Sequence, residues 1–137
     1  MVVWAHWMLS AISVKKDCIE MITIYLKNLL FFSHHGIHEE ETIVGNDFEI
    51  NVSVSFDETE KILSLDQTIN YVEVYNVIKE HMKKPSRLLE TVAMQIAEEV
   101  YNNNSRIKTI NISINKLNPP INNFTGSVGV TFHKEFS

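Results

Sequence analysis

Phe48, Ile50, Val52, Val54 and Phe56 alternate without a break with Glu49, Asn51, Ser53, Ser55 and Asp57. A period of two held over ten positions places every apolar side chain on one face of a strand, so this chain has a sheet with one face to bury. A chain of 137 residues has room for one domain to provide the cover. The cover is legible downstream. Val74, Val77, Ile78 and Met82 recur at helical spacing between Tyr71 and Met82, after Asn70 and a Glu73 that resembles a capping box. Leu89, Val92, Ala93, Ile96, Ala97, Val100 and Tyr101 form a second stripe that stops at Asn102-Asn103-Asn104. Two strands precede the helices: Ile22 to Lys27 alternates and runs into apolar Leu29 to Phe32, and the ten-residue run follows after a loop from Ser33 to Gly45. Two strands follow them: Ile110, Ile112 and Ile114 alternate with Asn111, Ser113 and Asn115, and Val128, Val130 and Phe132 come after the break at Asn118-Pro119-Pro120. The expected class is α+β, an antiparallel four-stranded sheet with two helices on one face in the order β-β-α-α-β-β. Such a sheet has two open edges, so it is expected to join the sheet of a neighbouring subunit.

Charge and cysteine content narrow the partners. Twelve Lys and Arg against seventeen Asp and Glu give a net charge of −5, and no basic cluster exceeds Lys15-Lys16 or Lys83-Lys84, which argues against a nucleic acid partner. Cys18 is the single cysteine, so no intramolecular disulfide forms, and a reducing, cytoplasmic setting is expected. The apolar stretch Trp4 to Ile12 is too short to span a bilayer, and its lysines follow it, whereas a secretory signal carries its positive charge in front. Residues 1–20 therefore read as an extension without an assigned role, and residues 21–137 as the domain.

Four places break the core pattern. Lys116 follows Ile110, Ile112 and Ile114 with the same parity, so a cation continues an apolar face. Either its stem lies on apolar surface while the ammonium reaches water, or a cavity opens there and the amine works as a proton donor or acceptor. Glu90, in the first turn of the second helix, is either an acid favoured by the helix dipole or a carboxylate that receives paired donors from a ligand. Tyr71 is either a core aromatic or a phenol offered to a ligand. The loop holds His34, His35 and His38 beside Glu39, Glu40 and Glu41, yet it has no His-x-His pair and no His-Glu-x-x-His arrangement, so no metal site is expected. Gly36 and Gly45 read as turn positions with Glu41 held between them.

Taken together, His35-Gly36 with Glu41 and Gly45, Thr68-Ile69-Asn70-Tyr71, Leu88-Leu89-Glu90, and Lys116 followed by Asn118-Pro119-Pro120 resemble the dihydroneopterin aldolases of folate biosynthesis, in order and spacing from about Met21 onward. The resemblance implies the tunnelling fold, in which such units join into a ring-shaped barrel of four subunits and two rings stack into an octamer. It implies a pterin substrate, 7,8-dihydroneopterin, cleaved to 6-hydroxymethyl-7,8-dihydropterin and glycolaldehyde without a cofactor. Glu90 and the backbone of Leu89 correspond to the pair that holds the amino-pyrimidine edge, and Ile69 to a further substrate-binding position. Tyr71 corresponds to the aromatic contributed across the subunit boundary, Lys116 to the acid/base lysine, and Glu41 to the carboxylate beside it. One departure stands out: eight residues before Tyr71, where many members have an acid, this chain has Leu63, and the nearest acid is Asp66.

Three rivals share the fold. A 2′-epimerase acting on dihydroneopterin or its triphosphate would use the same retro-aldol intermediate, though the triphosphate form calls for cations that these acidic or neutral loops lack. A zinc-dependent enzyme resembling pyruvoyl tetrahydropterin synthase would need the His-x-His spacing. A non-catalytic pterin-binding protein would keep Glu90 and release no glycolaldehyde.

Overall fold

A computed structural model describes residues 20–58 and 60–137. The expected extension, apart from Glu20, lies outside the described residues. The elements are β1 (Met21–Ser33), α1 (Glu39–Val44), β2 (Asn46–Asp57), a 3-10 turn (Leu65–Gln67), α2 (Tyr71–Lys83), α3 (Leu89–Asn103), β3 (Ile107–Lys116) and β4 (Val128–Glu135). All neighbouring strands run antiparallel in the order β1-β2-β3-β4. The four expected strands and two expected helices are present, with β3 and β4 longer than the alternation alone marked out. The segment Ser33–Gly45, expected as a loop throughout, contains α1.

Register explains how the core closes. Ile50 pairs with Ile114, Val52 with Ile112 and Val54 with Ile110, so two central strands present one continuous apolar face. These six side chains are essentially inaccessible, and burying each contributes about 2 kcal/mol. Val74, Val77, Ile78 and Met82 of α2 and Val92, Ala93, Ile96, Ala97 and Val100 of α3 complete the same core. The opposite sheet face carries Asn51, Ser53, Asn111 and Ser113, which stay half-buried. β1 bulges at Asn28, whose φ is +59° and whose N–H donates to Asn51 Oδ1 at 2.8 Å.

Helix entry differs in detail from the expectation. At α2 the Asn70 carboxamide accepts from Val72 N–H at 2.9 Å, but Glu73 only donates its own N–H to Asn70 O. The reciprocal capping contact is made instead at the 3-10 turn, where Ser64 N–H donates to the Gln67 side chain at 3.1 Å. Among the described residues no helix is long and apolar enough to cross a membrane.

Candidate active site

Lys116 ends β3 opposite Phe48, so its side chain stands on the helix-covered face, directly beyond Ile114. Its Nζ lies 5.8 Å above the Phe48 ring and 2.5 Å from Glu41 Oε2. The two charged side chains are only 12% and 11% exposed. The strand-end lysine therefore does not reach open water; it is held in an ion pair at the edge of the core. A pair removed this far from solvent interacts strongly, and losing either partner leaves a charge without compensation. Two reciprocal bonds hold the strand end in place: Asn46 Nδ2 donates to Asn118 O at 2.5 Å, and Asn118 N–H donates to Asn46 Oδ1 at 3.3 Å.

Glu41 reaches the lysine because α1 folds back over Gly36. A Cβ at Gly36 would lie 1.9 Å from Glu41 Oε2 and 2.5 Å from Glu41 Cβ, so the close approach itself requires glycine there. Gly36 is thus needed for contact rather than for a turn angle. Gly45 does need its backbone freedom: φ is +79°, and its N–H closes α1 by donating to Glu41 O at 2.9 Å.

The same corner captures the start of α3. Gly36 N–H donates to Ser86 O at 2.9 Å, and Ser86 N–H donates to His35 Nδ1 at 2.9 Å. Ser86 Oγ bonds Leu88 O at 3.3 Å, which carries the link into Leu89, half-buried, and Glu90, exposed in the first turn of α3. His35 is fully buried, its ring edge-on to Phe48 with centroids 5.5 Å apart. Burial, then the nearby Lys116 charge, then His34, push its pKa down from 6.5 to about 4. The ring is neutral near pH 7.

Tyr71 and Ile69 are elsewhere. Ser33 Oγ donates to Met82 O, which fixes the C-terminal end of α2 beside the end of β1 that leads into His35. Tyr71 opens α2, so a helix of about 18 Å separates it from that corner. Arg106 Nη2 donates to Thr68 O at 2.6 Å, tying the Thr68–Tyr71 segment to the start of β3, about 30 Å of strand away from Lys116. Tyr71 is 58% exposed, whereas the Ile69 side chain is buried in the core and leaves only its main chain to a ligand. Leu63 is exposed, and Asp66 bonds the Ser64 hydroxyl, which holds its carboxyl below the usual range. One chain thus pairs Lys116 with Glu41, ties that corner through His35, Gly36 and Ser86 to the start of α3 where Leu89 and Glu90 lie, and places Tyr71 and Ile69 at its opposite end.

A family model described as "FolB: Dihydroneopterin aldolase" matches residues 24–133. The chain belongs to the dihydroneopterin aldolase family. The dihydroneopterin aldolase of Staphylococcus epidermidis is 30% identical over 115 residues, covering 82% of this chain and 95% of that protein. For the fold, a Vibrio cholerae FolB structure superposes with a TM-score of 0.74 at 18% identity, covering 85% of this chain and 99% of that one. The Escherichia coli dihydroneopterin aldolase in complex with neopterin gives 0.67 at 14% identity, covering 82% and 98%. The family's four-stranded sheet with its helices is the architecture described above.

The alternation and helix stripes pointed to every large element, and parity singled out Lys116. Three partners have no role legible in the sequence: Phe48 reads as core, because its place under Lys116 follows from register, His35 reads as one of the loop histidines and half of a His-Gly pair, and Ser86 reads only as the restart of the chain before α3.

Proposed function

We propose that this chain cleaves the C1′–C2′ bond of 7,8-dihydroneopterin, giving 6-hydroxymethyl-7,8-dihydropterin and glycolaldehyde. The observation that carries this reading is the shielded Lys116–Glu41 pair beside the Leu89–Glu90 turn in a member of this family. Glu90 and the Leu89 backbone receive the amino-pyrimidine edge, since a carboxylate accepts paired N–H donors well. The acyclic side chain then lies toward Lys116 and Glu41.

Bond cleavage requires loss of the 2′-hydroxyl proton as electrons from the C1′–C2′ bond move toward the ring. The substrate's N5=C6 imine accepts them, so neither a metal nor a lysine Schiff base is needed as electron sink. Lys116, with Glu41, Tyr71 and a water, takes the 2′-hydroxyl proton and supplies one to N5; C2′ leaves as the aldehyde carbon of glycolaldehyde. The resulting enamine regains N5=C6 when N5 releases its proton and C1′ gains one, which closes the proton balance.

Tyr71, and the main chain at Ile69, come from a neighbouring copy, because within one chain they stand at the far end from Lys116. The assembly proposed is the ring of four, stacked in pairs to an octamer, in the cytoplasm. Recombination of the enamine with the opposite face of the glycolaldehyde carbonyl gives 2′-epimerase activity at the same site. Incubation of purified protein with 7,8-dihydroneopterin, with and without EDTA, tests the reading by chromatography and a glycolaldehyde assay. Chelator-insensitive release of both products is expected; unchanged substrate, or its 2′-epimer alone, overturns the aldolase assignment.

A further inference from the structure

We infer that His35 is a positioning residue: by accepting from Ser86 N–H, it holds the Ser86–Glu90 turn in register with the Lys116–Glu41 pair. The inference deepens the proposed function and rests on the roles given there to Glu90 and Lys116.

His35 is fully buried, and its Nε2 has no hydrogen-bond partner among the described residues. A buried donor left unpaired is unfavourable, so space-filling alone would be served better by leucine. What the imidazole adds is the acceptor at Nδ1, 2.9 Å from Ser86 N. That bond requires the neutral ring with its proton on Nε2, a state maintained by burial and by the neighbouring ammonium. The ring meets both halves of the site at once. One edge rests against Phe48, above which Lys116 Nζ sits, and the following residue, Gly36, both bonds Ser86 O and lies under Glu41. A shift of Ser86 therefore moves the pterin-binding turn relative to the proton-transfer pair, and an error of about 1 Å between binding and reacting groups is costly to turnover.

Two variants separate this role from packing. His35→Leu fills the space without an acceptor, while His35→Asn restores an acceptor in the place of Nδ1. Each is assayed for amide exchange at Ser86, for neopterin Kd, and for kcat and KM with 7,8-dihydroneopterin, after its fold is checked by thermal unfolding. The expected result for His35→Leu is faster Ser86 exchange, a Kd raised about tenfold and a lower kcat. His35→Asn is expected within about threefold of the parent on each measure. Should His35→Leu fail to fold, His35→Asn decides: parental exchange and Kd uphold the inference, and weakened values overturn it. Unchanged Ser86 exchange and Kd in a folded His35→Leu overturn it as well. Absence of glycolaldehyde release by the parent protein counts against the proposed function instead, and His35 is then judged on exchange and neopterin affinity.

Discussion

The two ends of this molecule are built on different terms. At the end where β1 and β3 finish, charge is drawn inward: Lys116 and Glu41 are paired and shielded, a neutral histidine lies behind them, and every link is made within one chain. At the other end the Thr68–Tyr71 segment is anchored by a buried Ile69 and by the Arg106 bond to Thr68 O, yet it turns the Tyr71 phenol outward. One end holds a shielded ion pair over the Phe48 ring; the other presents an exposed phenol on a segment tied down by Arg106. The contrast teaches why the proposed function draws Tyr71 from a neighbouring copy: one chain holds the two parts at opposite ends.

The largest effect expected at the charged end is that of Lys116→Ala. General acid–base contributions of about 10²- to 10⁴-fold set the loss in kcat, with neopterin Kd changed little. Steady-state kinetics beside a binding titration check this, and lost affinity with normal turnover of bound substrate would refute the lysine's role. Gly36→Ala should come next. The new methyl group meets Glu41 Oε2 and displaces it from Lys116, lowering kcat by about 10²-fold. Glu90→Gln keeps the shape but weakens paired acceptance, so KM should rise by about tenfold at nearly constant kcat.

The last effect is on stability rather than rate. The His35 pKa falls from 6.5 unfolded to about 4 folded, so between those values the unfolded chain binds the extra proton. Stability then rises with pH across that window, and the fall from above pH 6.5 to below pH 4 amounts to roughly 3 kcal/mol. Urea unfolding at a series of pH values should show this slope in the parent protein and a flatter one in His35→Asn.

How much of this was legible beforehand depended on length of pattern. The β2 run and the α3 stripe are long enough for period to declare itself, and both elements contain the residues expected. The six-residue α1 leaves its apolar Ile43 and Val44 exposed, so it has no buried apolar stripe to read, although it is what swings Glu41 onto Lys116. Parity placed Lys116 on the apolar face but left its surroundings open, since its partner is 75 residues away and the contact depends on how α1 packs. His35 and Ser86 were beyond reach for a related reason: an acceptor fifty-one positions from its donor leaves no spacing to recognise. The opposition of Tyr71 and Lys116 is likewise a property of topology, in which α2 runs back along the sheet.

The central claim is that the catalytic unit forms between chains, and mixing two inactive variants tests it most directly. Lys116→Ala chains retain Tyr71, and Tyr71→Ala chains retain Lys116; each alone should be inactive or nearly so. After unfolding and co-refolding at equal amounts, random neighbours in a ring give about a quarter of the sites both intact groups. Glycolaldehyde release recovering to about that fraction of the parent is the expected result. A mixture no more active than its components would contradict a site shared between copies.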